Sequence, residues 1–125
     1  MKIKFLGAVG SVTGSCTLLS HRCRYYLVDC GARQGFADNA YEPDGRLFRF
    51  KPSAIAAVFL THAHIDHCGR LPLLAKHGFN GLIYCTQATA RLARLALLDA
   101  ARLPGSQFGT DDVERLRFKC FDDEP

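Results

Sequence analysis

The sequence predicts a mixed α/β fold of the α+β kind, a sheet of short strands flanked by helices. Strand-like segments crowd the amino-terminal quarter. A continuous apolar run at residues 56–60 has the character of a strand buried on both faces, and helical spacing begins after Thr86. A chain of 125 residues accommodates one domain and a modest core, not two domains. Its 48% hydrophobic and 22% charged residues exclude a disordered chain.

Residues 2–6 alternate Lys2 and Lys4 with Ile3 and Phe5, which is strand patterning rather than the apolar leader of a secreted protein. Strands are expected at 16–19 and 25–28, parted by a Gly-Ser-Thr-rich turn over 10–15 and a polar turn over 21–24. That spacing makes an antiparallel meander. Periodicity lapses from 34 to 51, where a long loop is expected. Residues 52–55 suit one helical turn leading into the 56–60 strand. A short helix over 69–76 stops at Gly78, and 82–85 forms another apolar strand.

Thr86 is a suitable N-cap for a helix to about Arg102. At 100° per residue Leu92, Leu95, Ala96, Ala100 and Leu103 fall on one face, expected to be the buried one, with Asp99 among them and in need of a partner. Arg91, Arg94 and Arg102 gather opposite, on a face expected to be solvated although it could meet phosphates. Thr110, with Asp111, Asp112 and Glu114 behind it, is expected to cap a last short helix, where acid suits the helix dipole.

Sixteen basic against 12 acidic residues leave a net charge of +4. The excess favours approach of a phosphate backbone without demonstrating a polyanionic partner. Six cysteines occur without a C-x-x-C pair, which excludes zinc-ribbon and thioredoxin-like motifs. They are expected to be reduced core thiols, and with no leader the expected location is the cytoplasm. No apolar stretch is long enough to cross a bilayer.

The chemistry concentrates in Thr61-His62-Ala63-His64-Ile65-Asp66-His67, at the carboxyl end of the apolar strand. In extended backbone, residues two apart face the same side, so His62 and His64 can address one cation. Asp66 and His67 add a carboxylate and an imidazole for a second. Nitrogen and oxygen donors of this kind suit zinc, with manganese or iron as alternatives.

This H-x-H-x-D-H pattern resembles the signature of metallo-β-lactamase-fold hydrolases. The flanks Phe5-Leu6-Gly7, Val12-Thr13-Gly14-Ser15-Cys16, Leu27-Val28-Asp29-Cys30-Gly31, Gly69-Arg70-Leu71-Pro72 and Ile83-Tyr84-Cys85-Thr86 through Leu98-Asp99 resemble its β-CASP branch of RNA- and DNA-processing nucleases. The resemblance implies the amino-terminal part of an αββα sandwich with a mixed sheet. It implies two Zn2+ in a complete site, one on His62 and His64 and one on Asp66 and His67, with Asp66 also the candidate catalytic residue. Asp29 matches the first motif of the family, which braces the metal loop; by spacing alone it serves equally as a turn residue before Gly31.

The implied reaction is phosphodiester hydrolysis, with single-stranded RNA as substrate and no membrane partner. The family also uses a third histidine for the first metal, a bridging aspartate and a further histidine, all downstream. His77, the one histidine after His67, fits a helix end better than a ligand, and Asp111, Asp112, Asp122 and Asp123 lack an apolar strand to present them. The inserted β-CASP domain and the carboxyl-terminal part have no counterpart here, so this chain is expected to hold half an active site and to be inactive alone. Two alternatives share the motif: a small-molecule thioester or lactam hydrolase, and a non-catalytic module that self-associates or needs a second chain to complete the fold.

Overall fold

The computed structural model describes residues 1–10, 12–33 and 46–121. Most of the expected long loop, residues 34–45, and both Asp122 and Asp123 lie outside the described residues. The six strands are β1 (Lys2–Phe5), β2 (Thr17–His21), β3 (Arg24–Val28), β4 (Ile55–Phe59), β5 (Leu82–Cys85) and β6 (Arg117–Cys120). They form one sheet in chain order.

The sheet is mixed. β1, β2 and β3 run antiparallel as the expected meander, whereas β3 to β6 are parallel. Arg22 and Cys23 make the β2–β3 turn with φ of 48° and 61°, the left-handed geometry whose twist matches that of a hairpin. Each parallel step needs a crossover. The β4–β5 connection carries α1 (Ile65–Cys68) and α2 (Leu71–Lys76), and the β5–β6 connection carries α3 (Gln87–Ala101) and α4 (Thr110–Glu114).

Leu27, Val58, Ile83 and Phe118 lie in register across β3 to β6. The first three are fully buried in a core shared with Leu71, Leu74, Ala93, Leu97 and Val113 of the helices. The row one residue further along, Phe5, Thr17, Val28, Phe59 and Tyr84, lies on the other face. There Phe59 stacks on Tyr84 at 5.6 Å, while Phe5 remains 66% and Phe59 41% exposed. One face of the sheet is thus roofed by helices and the other is an open apolar surface.

Several sequence expectations need correction. Thr86 caps α3 as expected, its hydroxyl accepting the Thr89 N–H at 3.2 Å. The buried stripe of α3, however, is Ala90, Ala93 and Leu97, and Leu92, Leu95 and Leu103 are exposed. Alanines let the helix approach the sheet closely, so close packing outweighs the hydrophobicity of the leucines. Asp99 is therefore exposed, with Arg102 at 3.9 Å. Arg94 is not on a solvated face; its guanidinium lies 5.4 Å above the Phe118 ring.

The N-cap of α4 is Gly109 rather than Thr110, and the Asp112 carboxylate accepts the Gly109 N–H at 2.9 Å. Strand β6 was not anticipated, because Arg117 and Lys119 alternate with only one large apolar residue, Phe118. Cys16, Cys30, Cys68 and Cys85 are buried as expected of core thiols, but Cys23 and Cys120 are exposed.

Candidate metal centre

The site hangs from the carboxyl end of β4. Leu60 continues the ladder by donating its N–H to the Tyr84 carbonyl at 2.9 Å. His64 is still extended at φ −65°, ψ 143° and serves as the N-cap of α1, which puts Asp66 and His67 on the first turn of a helix. The backbone of this turn is stitched to the β2–β3 side of the molecule. Ser15 donates to the Asp66 carbonyl, Cys30 to that of His67 and Ala32 to that of Ile65, at 2.9, 2.9 and 3.0 Å.

Gly31 allows that seam. A Cβ at this position would stand 1.6 Å from the Asp66 carbonyl oxygen, so no other residue permits the two segments to touch.

Asp29 is the organiser. It follows β3 with φ 61°, a conformation that Asp tolerates better than most residues. It is nearly fully buried, and its side chain is completely engaged. Oδ1 accepts the Thr61 N–H at 2.8 Å, Oδ2 accepts the Thr61 hydroxyl at 2.8 Å, and His67 Nδ1 lies 2.7 Å from the same Oδ2. A carboxylate only accepts, so Nδ1 of His67 carries the hydrogen and Nε2 is left facing outward. Thr61 Oγ1, having given its proton to Asp29, can accept from His62 Nδ1 at 3.0 Å. One buried carboxylate therefore sets the tautomer of two histidines.

The outward atoms of Asp66 and His67 converge. His67 Nε2 lies 3.5 Å from Asp66 Oδ2, close to the roughly 3.3 Å expected between a nitrogen and an oxygen ligand on one tetrahedral zinc. The His62 and His64 rings lie 4.8 Å apart edge to face, and the His62 and His67 rings 3.9 Å apart. Among the described residues no group of three or more His, Cys, Asp or Glu side chains meets in ligating geometry. The chemistry of these nitrogen and oxygen donors suits a metal ion, and a closed coordination shell would need further ligands. His77 stands at the carboxyl end of α2 and is exposed, so it joins neither pair.

Sequence reasoning missed the part of Thr61, whose side chain links Asp29 to His62. The Thr beside the first histidine was the available signal. It also missed the part of Arg70, whose buried guanidinium covers the Phe48 ring at 4.4 Å and donates to the Leu47 carbonyl, pinning residues 47–48.

Residues 9–124 match the family described as the metallo-beta-lactamase superfamily. The chain therefore belongs to the metallo-β-lactamase superfamily. It is 43% identical over 115 residues to a ribonuclease of Thermus thermophilus, covering 91% of this chain and 26% of that protein. It is 41% identical over 107 residues to the transcription termination factor FttA of Cenarchaeum symbiosum, covering 82% of this chain and 16% of the relative. Against the cleavage and polyadenylation specificity factor subunit 3-I of Arabidopsis thaliana it is 36% identical over 109 residues, covering 86% and 15%.

The chain thus spans about a quarter or less of the length of these relatives. A solved metallo-β-lactamase of Cronobacter sakazakii superposes with a TM-score of 0.56 at 16% identity, over 98% of this chain and 43% of that one. That likeness is one of fold. No helix among the described residues is long and apolar enough to cross a membrane.

Proposed function

We propose that this chain supplies four ligands of a dinuclear zinc centre in a cytoplasmic β-CASP-type ribonuclease, with single-stranded RNA as substrate. His62 and His64 would hold one cation, and Asp66 and His67 the other, with manganese or iron able to replace zinc. When bound, such cations supply an activated water and stabilise charge developing on an attacked phosphate. The chain's own contribution is orientation. Asp29 holds His67 directly and His62 through Thr61, so that both rings offer Nε2 without rearrangement. Asp66 is the catalytic candidate because its carboxylate, beside His67 Nε2, would hold the second cation.

The observation that carries this reading is the Asp29–His67–Asp66 line, a carboxylate braced on one side of an imidazole and a ligand carboxylate on the other. The ribonuclease relative supports the choice of RNA. We infer further that residues 1–125 are the amino-terminal portion of the catalytic domain, the remaining ligands and the inserted β-CASP domain being supplied from outside it. A second chain completing the fold would serve equally.

The test pairs metal binding with cleavage. The 125-residue chain should bind zinc weakly in calorimetry, His64→Ala and Asp66→Ala should each weaken it further, and the chain alone should leave single-stranded RNA intact. The protein with its full ligand set should cleave RNA and leave a thioester untouched. Cleavage by the isolated chain, abolished by His64→Ala, would overturn the half-site reading. Thioester turnover with intact RNA would overturn the choice of substrate.

A further inference from the structure

Away from the histidine cluster, two cysteines far apart in sequence stand side by side. Cys85 ends β5 and Cys120 ends β6, and they are direct partners in the parallel register. Neighbouring strands run about 4.8 Å apart, within the roughly 4.4–6.8 Å between Cα atoms that a disulfide spans. The Ile83–Phe118 pair two residues earlier lies on the helix-covered face, so Cys85 and Cys120 project to that same face. Phe121 N–H donates to the Cys85 carbonyl at 3.2 Å, holding the strand ends together.

The two thiols differ in access. Cys120 is exposed, while Cys85 is 1% exposed. Burial, followed by the proximity of Cys120, pushes the Cys85 thiol up to about 11. Cys85 thus stays protonated at neutral pH while an oxidant reaches Cys120. The remaining cysteines are placed differently: Cys16, Cys30 and Cys68 are buried, and Cys23 sits on the β2–β3 turn at the opposite end of the sheet.

We propose that Cys85 and Cys120 are a redox modification site, a dithiol that a hydroperoxide converts reversibly into a disulfide fastening the edge strand β6 to β5. The Cys120 sulfur attacks one peroxide oxygen, the O–O bond breaks, an alcohol or water leaves, and Cys120 becomes a sulfenic acid. The Cys85 sulfur then attacks that sulfur, the S–S bond forms, the S–O bond breaks, and the Cys85 proton departs with the hydroxyl as water. In sum two thiols and one hydroperoxide give one disulfide, one alcohol or water, and one water. At the exposed end of β6 such a disulfide stays within reach of a reducing thiol.

The experiment is peroxide oxidation of the chain carrying Cys23→Ser, followed by tryptic mass mapping without reductant. The expected product is a linkage between the peptides that begin at His77 and Cys120, a loss of two titratable thiols, a Tm several degrees higher, and reversal of all three by dithiothreitol. In Cys120→Ser no linkage forms and the thiol count holds. In Cys85→Ser, dimedone traps Cys120 as the sulfenic acid. Cys120→Ser changes an exposed side chain and should fold normally, so it keeps the test informative if Cys85→Ser does not. Over-oxidation of Cys120 to the sulfinic acid without linkage, or a linkage through Cys16 or Cys30 instead, would overturn the proposal.

Discussion

Oδ2 of Asp29 lies 2.7 Å from Nδ1 of His67, and the same oxygen accepts the Thr61 hydroxyl. Replacing Asp29 by Asn keeps a residue that tolerates the left-handed backbone but removes the charge and one acceptor. Zinc affinity should fall about 10- to 100-fold in calorimetry, the usual cost of losing a brace behind a ligand histidine. Asp29→Ala also strands the Thr61 N–H, which is only part-buried, and should cost about 1–2 kcal/mol in urea denaturation.

Gly31→Ala places a methyl group against the Asp66 carbonyl, 1.6 Å away if nothing moves. Backbone faces backbone there, so no side chain can swing aside. A destabilisation of about 3 kcal/mol or more is expected from denaturant melts. Metal binding should weaken in parallel, because the displaced turn carries both Asp66 and His67.

The sheet face opposite the helices presents Phe5 and Phe59 at 66% and 41% exposure beside Tyr84. Apolar surface of this kind is normally covered by a second layer. The isolated chain should self-associate in sedimentation velocity, and the double variant Phe5→Lys/Phe59→Lys should shift it to monomer without loss of secondary structure. A wild-type chain that stays monomeric at high concentration would count against coverage by a second copy.

Alkaline pH probes the thiol at the end of β5. Burial lifts Cys85 from 9.0 to about 11 in the folded protein. Its contribution to stability is therefore complete below pH 9 and is lost as pH rises toward the folded value, at about 1.4 kcal/mol per pH unit at most. Urea melts at pH 8 and 10.5 should differ in the wild type and differ less in Cys85→Ala. The slope should not vanish, because Cys30 is also raised, by its hydrogen bond to Cys16 and by burial.

What the sequence disclosed and what it withheld divide along physical lines. The meander, the β4 and β5 strands and the Thr86 cap were legible because each is local: alternation, an apolar run, a capping hydroxyl. The cluster proposed to hold metal was legible as a motif for the same reason, four donor side chains within six residues. The buried face of α3 was not, because hydrophobicity favoured Leu92 and Leu95 while the sheet selected Ala90 and Ala93 by size. Strand β6 escaped because an edge strand needs few apolar residues. The engagement of Asp29 with Thr61 and His67 depends on partners 32 and 38 residues away, which no local pattern encodes.

Those separations have a kinetic meaning. Asp29 cannot reach Thr61 or His67 until β3 has found β4 in parallel, a pairing that must close a long intervening loop before any contact rewards it. Helix α1 is local, but the braced histidines depend on the least local contacts of the fold. The Thr61 amide, held by Asp29 Oδ1, should accordingly exchange its hydrogen only through opening of the β3–β4 pair, making it a single-residue clock for assembly of the site.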